Sequence, residues 1–312
     1  MAADEEVLSS PTWSLVTART PGRGSFGAAL HEGELWEVPA LHGYAGLFEA
    51  LQDWEVIAPA LRTYSPLGAV RVVGAEILAP VRYPRTVLGS GSNYRDHLLE
   101  MTGKDMDRVP PFFFLKPPST TVIGPGDPIV ISPDEDQQVD WEAELGVVIG
   151  RAGRDIPLGQ AGDHIAGYTI VNDISARGPH RRADAIADPF VWDWLASKGQ
   201  DTFCPTGPGL TPAWMVPDPH DLPITLTVNG RPEQTSSTKE MILEVAELVA
   251  AASTFVTLQP GDLLSTGTPA GVGLPKGRFL RPGDLVEITI GDLGRLSNPV
   301  TARGTTQGGL SS

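Results

Sequence analysis

The stretch Val139–Gly150, VDWEAELGVVIG, sets two demands against each other. Its second half is an unbroken apolar run, which reads as a buried strand. Its first half places Asp140, Glu142 and Glu144 at alternate positions, and alternate residues of a strand point to one face. Three negative charges on one side of a strand entering a core need water or a counter-charge. A solvated edge that repels aggregation meets that need; so does a bound cation.

The rest of the chain narrows the choice. Its 312 residues leave room for one large domain or two unequal ones with a sizeable core. An apolar content of 41% argues against wholesale disorder. No apolar run approaches the roughly 20 residues that span a bilayer. The opening MAADEEVLSS carries acids where a signal peptide needs bases, so a cytoplasmic protein is expected. A net charge of -15 without a basic block disfavours nucleic acid and anionic membranes as partners. Local cations or a metal ion can still draw an anionic small molecule to such a chain. The single cysteine, Cys204, excludes an internal disulfide and a cysteine-based zinc site, and reads as an inert buried thiol.

Glycine and proline punctuate short β-rich runs without any period. Residues 1–82 read as a small N-terminal β-rich unit, with WSLVTAR, GSFGAALHEGELWEV and AVRVVGAEILAPV as strands. Leu47, Leu51, Trp54 and Ile57 mark a helix between them. In residues 83–300, Pro-Gly-Asp or Gly-Asp turns precede apolar or alternating runs such as DPIVIS and DLVEITI. One helix is predicted over STKEMILEVAELVAAASTFVTL, capped by Ser237 with Glu240, its apolar stripe running from Ile242 to Phe255 and Val256. Strands with few helices and no βαβ alternation give an α+β, β-rich class. The polar tail 301–312 is expected to be disordered.

Several segments carry chemistry. In GYTIVNDISARGP, Asp173 ends an apolar run and Arg177 follows four residues later. A glutamate pair at i, i+2 with a carboxylate from another strand's end suits a hard divalent cation, magnesium or manganese rather than zinc; calcium also fits an all-oxygen set. In GSGSNYRDHLLEM, His97 and Glu100 lie three apart on a short helix, where a carboxylate raises imidazole basicity, although an exposed ion pair has the same spacing. The other five histidines, His180 among them, read as surface or turn residues. Lys198 follows Phe190, Trp192 and Trp194, a setting that depresses a lysine pKa or aims its charge at an anion, unless the side chain simply snorkels. STGTPAGVG allows close backbone approach to a ligand but lacks the features of a phosphate loop.

Taken together, and in this order, these segments resemble the fumarylacetoacetate hydrolase family in its bacterial form, from about Tyr83 to Ile290. The resemblance implies a mixed β-roll or β-sandwich, a homodimer, and a small N-terminal cap matched only loosely. It implies metal ligation by Glu142, Glu144 and Asp173, a water-activating pair in His97 and Glu100, and a catalytic lysine in Lys198. It places Arg177, Lys116, Gly267 and Thr268 near substrate. The expected reaction is metal-dependent carbon–carbon hydrolysis of a 2,4-dioxo, acylpyruvate-like acid. The same enolate chemistry also serves a decarboxylase or a keto–enol tautomerase or isomerase of oxaloacetate-like or dienedioate acids, and a non-catalytic metal-dependent binding protein is a third reading. This chain departs from the family pattern at Gly178, at Gly199–Gln200 and in the segment 179–194. There Arg181 and Arg182 are either rim cations or part of a solvated loop.

Overall fold

In the computed structural model, which describes residues 12–22 and 24–304, the apolar run becomes the strand Ala143–Ile149, buried along its whole length. It pairs antiparallel with Ile165–Asn172 on one side and Leu263–Ser265 on the other. Beyond Leu263–Ser265 the sheet continues through Val87–Ser90 to an edge strand, Phe113–Lys116. Beyond Ile165–Asn172 lies Cys204–Pro212, and then the N-terminal strands Ser14–Thr20, Gly24–His31 and Glu34–Glu37. The N-terminal β-rich segment thus extends the same sheet, joined where Leu15 faces Leu210.

The alternation of the central strand decides how the layers stack. Leu145, Val147 and Ile149 enter a core with Ile224, Leu226, Val286 and Ile288 from a second, five-stranded sheet, and with Leu248 and Val249 of the helix Val245–Phe255. Val148 faces the other way, into a core with Trp13, Leu51, Trp54 and Leu210. At about 25 cal/mol per Å² of apolar surface, burial on both faces stabilises this strand between the two cores. The class is α+β and β-rich, as expected.

Several local expectations need correction. The three alternate acids do not lie along one continuous strand. Val139–Asp140 pairs with Ser175–Ala176 in a separate two-stranded ribbon, and the chain enters the large sheet only at Ala143. The predicted long helix begins at Val245, because Arg231–Ser237 is a strand paired with Pro223–Val228. Its capping box is Glu244 with Glu247, while Ser237 caps only a short 3-10 turn. Phe255, assigned to the buried stripe, is 66% exposed. Thr301 and Ala302 complete the last strand, Arg303 N–H donates to the Ile131 carbonyl at 2.7 Å, and residues 305–312 of the expected disordered tail lie outside the described residues. Among the described residues no helix is long and apolar enough to cross a membrane.

Candidate active site

The hairpin register builds the acidic cluster. Ala143 pairs with Asn172, so the next residue outward on each strand brings Glu142 opposite Asp173. The Asp173 N–H donates to the Glu142 carbonyl at 2.9 Å, and the Asn172 amide oxygen accepts from Glu142 N–H at 3.1 Å. Glu144 follows two residues inside. Ligand oxygens of Glu142, Glu144 and Asp173 all fall within 4.8 Å of one another, and all three side chains are buried.

Such crowding is costly unless compensated. Lys198, at the end of the short helix Trp194–Lys198, donates to Glu142 Oε2 at 2.7 Å and to Asp173 Oδ2 at 2.6 Å. Lys116 donates to the other Asp173 oxygen and to the Ile174 carbonyl. The Arg177 guanidinium reaches Glu142 Oε1 at 2.6 Å and Asp140 Oδ2 at 2.9 Å. Burial alone would raise the Glu142 carboxyl, but Lys198 and Arg177 outweigh it and hold it well below the usual carboxylate range. Burial, Asp173 and Glu142 together push Glu144 well above it. Burial would lower the Lys198 ammonium, yet Asp173 and Glu142 raise it. Of the alternatives that the sequence left open for Lys198, the depressed pKa is not found, and the charge points at two buried carboxylates.

These residues fit a divalent cation. Three hard oxygen donors converge at one end of the hairpin, and Glu144 is the one of the three without an ion pair among the described residues. Ser265 O–H and Gly267 N–H both donate to Glu144 Oε2, the latter at 3.0 Å, which fixes the direction of the carboxylate.

Above the cluster opens a cleft of about 120 Å³. Glu142, Glu144, Arg177, Lys198 and Thr268 line it with His97, and Phe112, Phe114, Trp194 and His180 wall it. His97 and Glu100 sit on the helix Arg95–Thr102, with Nδ1 to Oε2 at 3.7 Å, too long for a hydrogen bond. The His97 Nδ1 is buried and has no hydrogen-bond partner among the described residues. Burial works to raise Glu100, but His97 and the Gly271 N–H, which donates at 3.0 Å, hold it below its ordinary value.

Of the residues placed near substrate by the resemblance, Arg177 and Thr268 line the cleft. Thr268 is fixed by bonds to Gln234 and the Ala143 carbonyl, and Gly267 acts on Glu144 through its N–H. Lys116 does not line the cleft; its ammonium is buried behind Asp173. Arg182 pairs with Asp184 at 3.4 Å in an exposed loop, as a solvated segment does. His180 is the residue that the sequence reading missed. Its ring stacks edge-on against Trp194, its Nε2 is buried and unpartnered, and burial, Lys198 and Arg177 lower its pKa. Its place three residues after Arg177 was the available signal.

The family model for the fumarylacetoacetate hydrolase C-terminal domain matches residues 86–301. The chain belongs to the fumarylacetoacetate hydrolase family. Family members similar to it include the mitochondrial oxaloacetate tautomerase of Xenopus laevis, 44% identical over 228 residues that cover 72% of this chain and 68% of the relative. The 5-carboxymethyl-2-hydroxymuconate delta-isomerase of Mycobacterium smegmatis superposes with a TM-score of 0.72 at 32% identity, over 93% of this chain and 99% of that one. The maleylpyruvate hydrolase of Sphingobium sp. SYK-6, in complex with manganese(II) and pyruvate, superposes with a TM-score of 0.73 at 27% identity, over 93% of this chain and 100% of that one. Members of this family thus include tautomerases, isomerases and hydrolases, and this chain shares their enzymatic scaffold.

Proposed function

We propose that the protein is a magnesium- or manganese-dependent enzyme of short 2-oxo acids, and that it interconverts the keto and enol forms of an oxaloacetate-like dicarboxylate. The observation that carries this reading is the size and lining of the cleft. Its volume of about 120 Å³ lies well below the roughly 300–1,000 Å³ of sites for larger ligands. A four- or five-carbon acid suits that space better than a long acyl chain together with an attacking water. The similarity to the oxaloacetate tautomerase supports the same reading.

Glu142, Glu144 and Asp173 would hold the divalent cation, which when bound would supply Lewis-acid stabilisation of negative charge on the substrate's 2-oxo carboxylate head. Arg177 offers the same carboxylate a charge-assisted donor. Lys198 keeps Glu142 ionised, donates to Asp173 and presents a fixed positive charge to the enolate. His97, which lines the cleft, moves the proton: it takes one from the carbon beside the oxo group and returns one to the oxo oxygen, and Glu100, 3.7 Å from its Nδ1, steadies the imidazolium between the two transfers. Phe112, Phe114 and Trp194 limit water around the reacting carbon.

Hydrolysis of a 2,4-dioxo acid, the expectation from sequence, is the second reading. The His97–Glu100 pair favours it, because the same base activates a water, and so does the likeness to maleylpyruvate hydrolase. A homodimer in the cytoplasm belongs to the proposal as well. The exposed Phe112, Leu115 and Phe255, on and beside the edge strand, support the dimer.

Product analysis decides among these reactions. Manganese-loaded protein is given enol-oxaloacetate, and the enol absorbance and carbon dioxide are followed together. Accelerated loss of the enol with no carbon dioxide is expected. Carbon dioxide release would assign a decarboxylase. No effect on the enol, together with cleavage of an acylpyruvate into two fragments, would assign the hydrolase.

A further inference from the structure

Asp140 belongs to the opening motif but not to the acidic cluster, and it is fully buried. A lone buried carboxylate costs several kcal/mol, yet this one is matched on every side. Its Oδ1 accepts the N–H groups of Trp141 at 2.8 Å and Gly273 at 2.6 Å. Its Oδ2 accepts Leu274 N–H at 3.1 Å and Arg177 Nε at 2.9 Å. Four donors fill the lone-pair sites that a carboxylate offers.

Two of those partners lead to the cleft. Arg177 spends one edge of its guanidinium, Nε and one hydrogen of Nη2, on Asp140 and Glu142. The end-on edge, Nη1 with the second hydrogen of Nη2, has no partner among the described residues, and Arg177 lines the cleft. That edge has the fork geometry for a carboxylate. On the other side, the loop Gly271–Leu274 is held to Asp140 by two N–H groups, and the Trp141 indole donates to the Gly271 carbonyl at 3.2 Å. The Gly271 N–H in turn holds Glu100 at 3.0 Å. The loop has no slack: a Cβ on Gly273 would lie 1.9 Å from the Arg278 carbonyl oxygen, and Gly271 has φ +105 with a Cβ position 2.2 Å from the Glu233 carbonyl oxygen.

We infer that Asp140 is a positioning residue, which turns the free edge of Arg177 toward the substrate carboxylate and, through the same buried carboxylate, anchors the loop that steadies Glu100. One side chain thereby sets the geometry of both the anion-binding side and the proton-transfer side. The inference rests on the oxo-acid reading only for the identity of the anion that Arg177 receives.

The test uses manganese-loaded full-length protein and oxalate as the probe, with binding measured by calorimetry. In Asp140→Asn the amide nitrogen faces Arg177 Nε and Leu274 N–H, both donors. The oxalate Kd is expected to rise about tenfold or more while the manganese Kd stays within about threefold. Adding Asp140→Asn to Arg177→Met should weaken oxalate no further, because both changes remove the same contact. Backbone amides of Gly271, Gly273 and Leu274 should exchange faster in Asp140→Asn. Asp140→Glu keeps the charge and is the variant to read if Asp140→Asn does not fold. Its longer arm displaces Arg177, and the oxalate Kd should rise at least about threefold. An unchanged oxalate Kd in whichever variant folds, or losses that multiply in the double variant, would overturn the inference, and unchanged loop exchange would remove its second half. If the wild type binds oxalate but leaves oxaloacetate untouched, the proposed reaction falls while this inference stands.

Discussion

The hairpin of Ala143–Ile149 and Ile165–Asn172 has one backbone geometry and two chemistries. At one end, Val147, Val148 and Ile149 meet apolar neighbours on both faces; at the other, Glu142, Glu144 and Asp173 crowd together at nearly the same burial. The two ends stand about 17 Å apart along a strand that rises about 3.4 Å per residue. The apolar end gains free energy by leaving water. The acidic end loses it, and Lys116, Lys198 and Arg177 return only part of the loss. The strand can carry such an end because the other end holds it rigid. Substitutions at the two ends should therefore separate function from stability, with opposite signs.

Glu144→Gln should show the largest effect. It removes one of the three proposed metal ligands, so turnover and manganese retention should both be lost. The metal-free protein should nevertheless become more stable at pH 7. Burial, Asp173 and Glu142 raise the Glu144 carboxyl in the folded state. Folding then favours its protonated form, and the wild type loses stability as pH rises above the ordinary carboxylate pKa of 4.5. The glutamine variant has no such proton to lose, so its metal-free melting temperature should fall less over the same range. A metal-free variant that melts below the wild type at pH 7 would mean that the acidic end is not under strain.

His97→Ala comes next. It leaves the three carboxylates intact, so manganese binding should persist while turnover drops by about 10²–10⁴, the usual worth of general acid–base catalysis. Equal loss of metal and activity would tie His97 to the cluster rather than to the proton.

Ile149→Ala tests the apolar end. A buried isoleucine truncated in a packed core costs about 2–5 kcal/mol, which denaturant unfolding would register. Turnover per folded molecule should stay near that of the wild type, because the cavity opens away from the cleft. A large fall in turnover of the folded fraction would show that the two ends are mechanically coupled.

The same contrast explains what could be read from the sequence. An apolar run preceded by alternate acids announces a buried strand with a charged end, and hairpin register then delivers Asp173 to Glu142. Those are local regularities. What escaped was set by tertiary contacts. Asp140 shares the alternation of Glu142 and Glu144, yet it lies in the separate ribbon that the chain leaves before joining the large sheet at Ala143, and there it meets Arg177 and the Gly273 loop. His180 looks like a loop histidine until Trp194 packs against it. Lys116 was expected at the substrate by resemblance, but only the pairing of Phe113–Lys116 with Val87–Ser90 shows its ammonium behind Asp173. Ser237 and Glu240 have the spacing of a capping box, but strand pairing of Arg231–Ser237 overrides it.

Cys204 lies where the two chemistries meet, and it should give the smallest effect. It starts the strand beside Ile165–Asn172 and belongs to the apolar core with Val171 and Leu210, although Lys116 and Asp173 are close enough to act on its thiol. Burial dominates and pushes the thiol up to about 12. At pH 8 the thiolate fraction is then about one part in ten thousand, too little for nucleophilic attack. Native protein should resist a thiol-specific reagent at pH 8 and yield one reactive thiol on unfolding. Cys204→Ala should keep turnover within about twofold and cost about 1 kcal/mol, as a small apolar group lost from a core does. Rapid labelling of the native thiol that also stops turnover would instead assign Cys204 to the charged end, and move the boundary between the two chemistries by one strand.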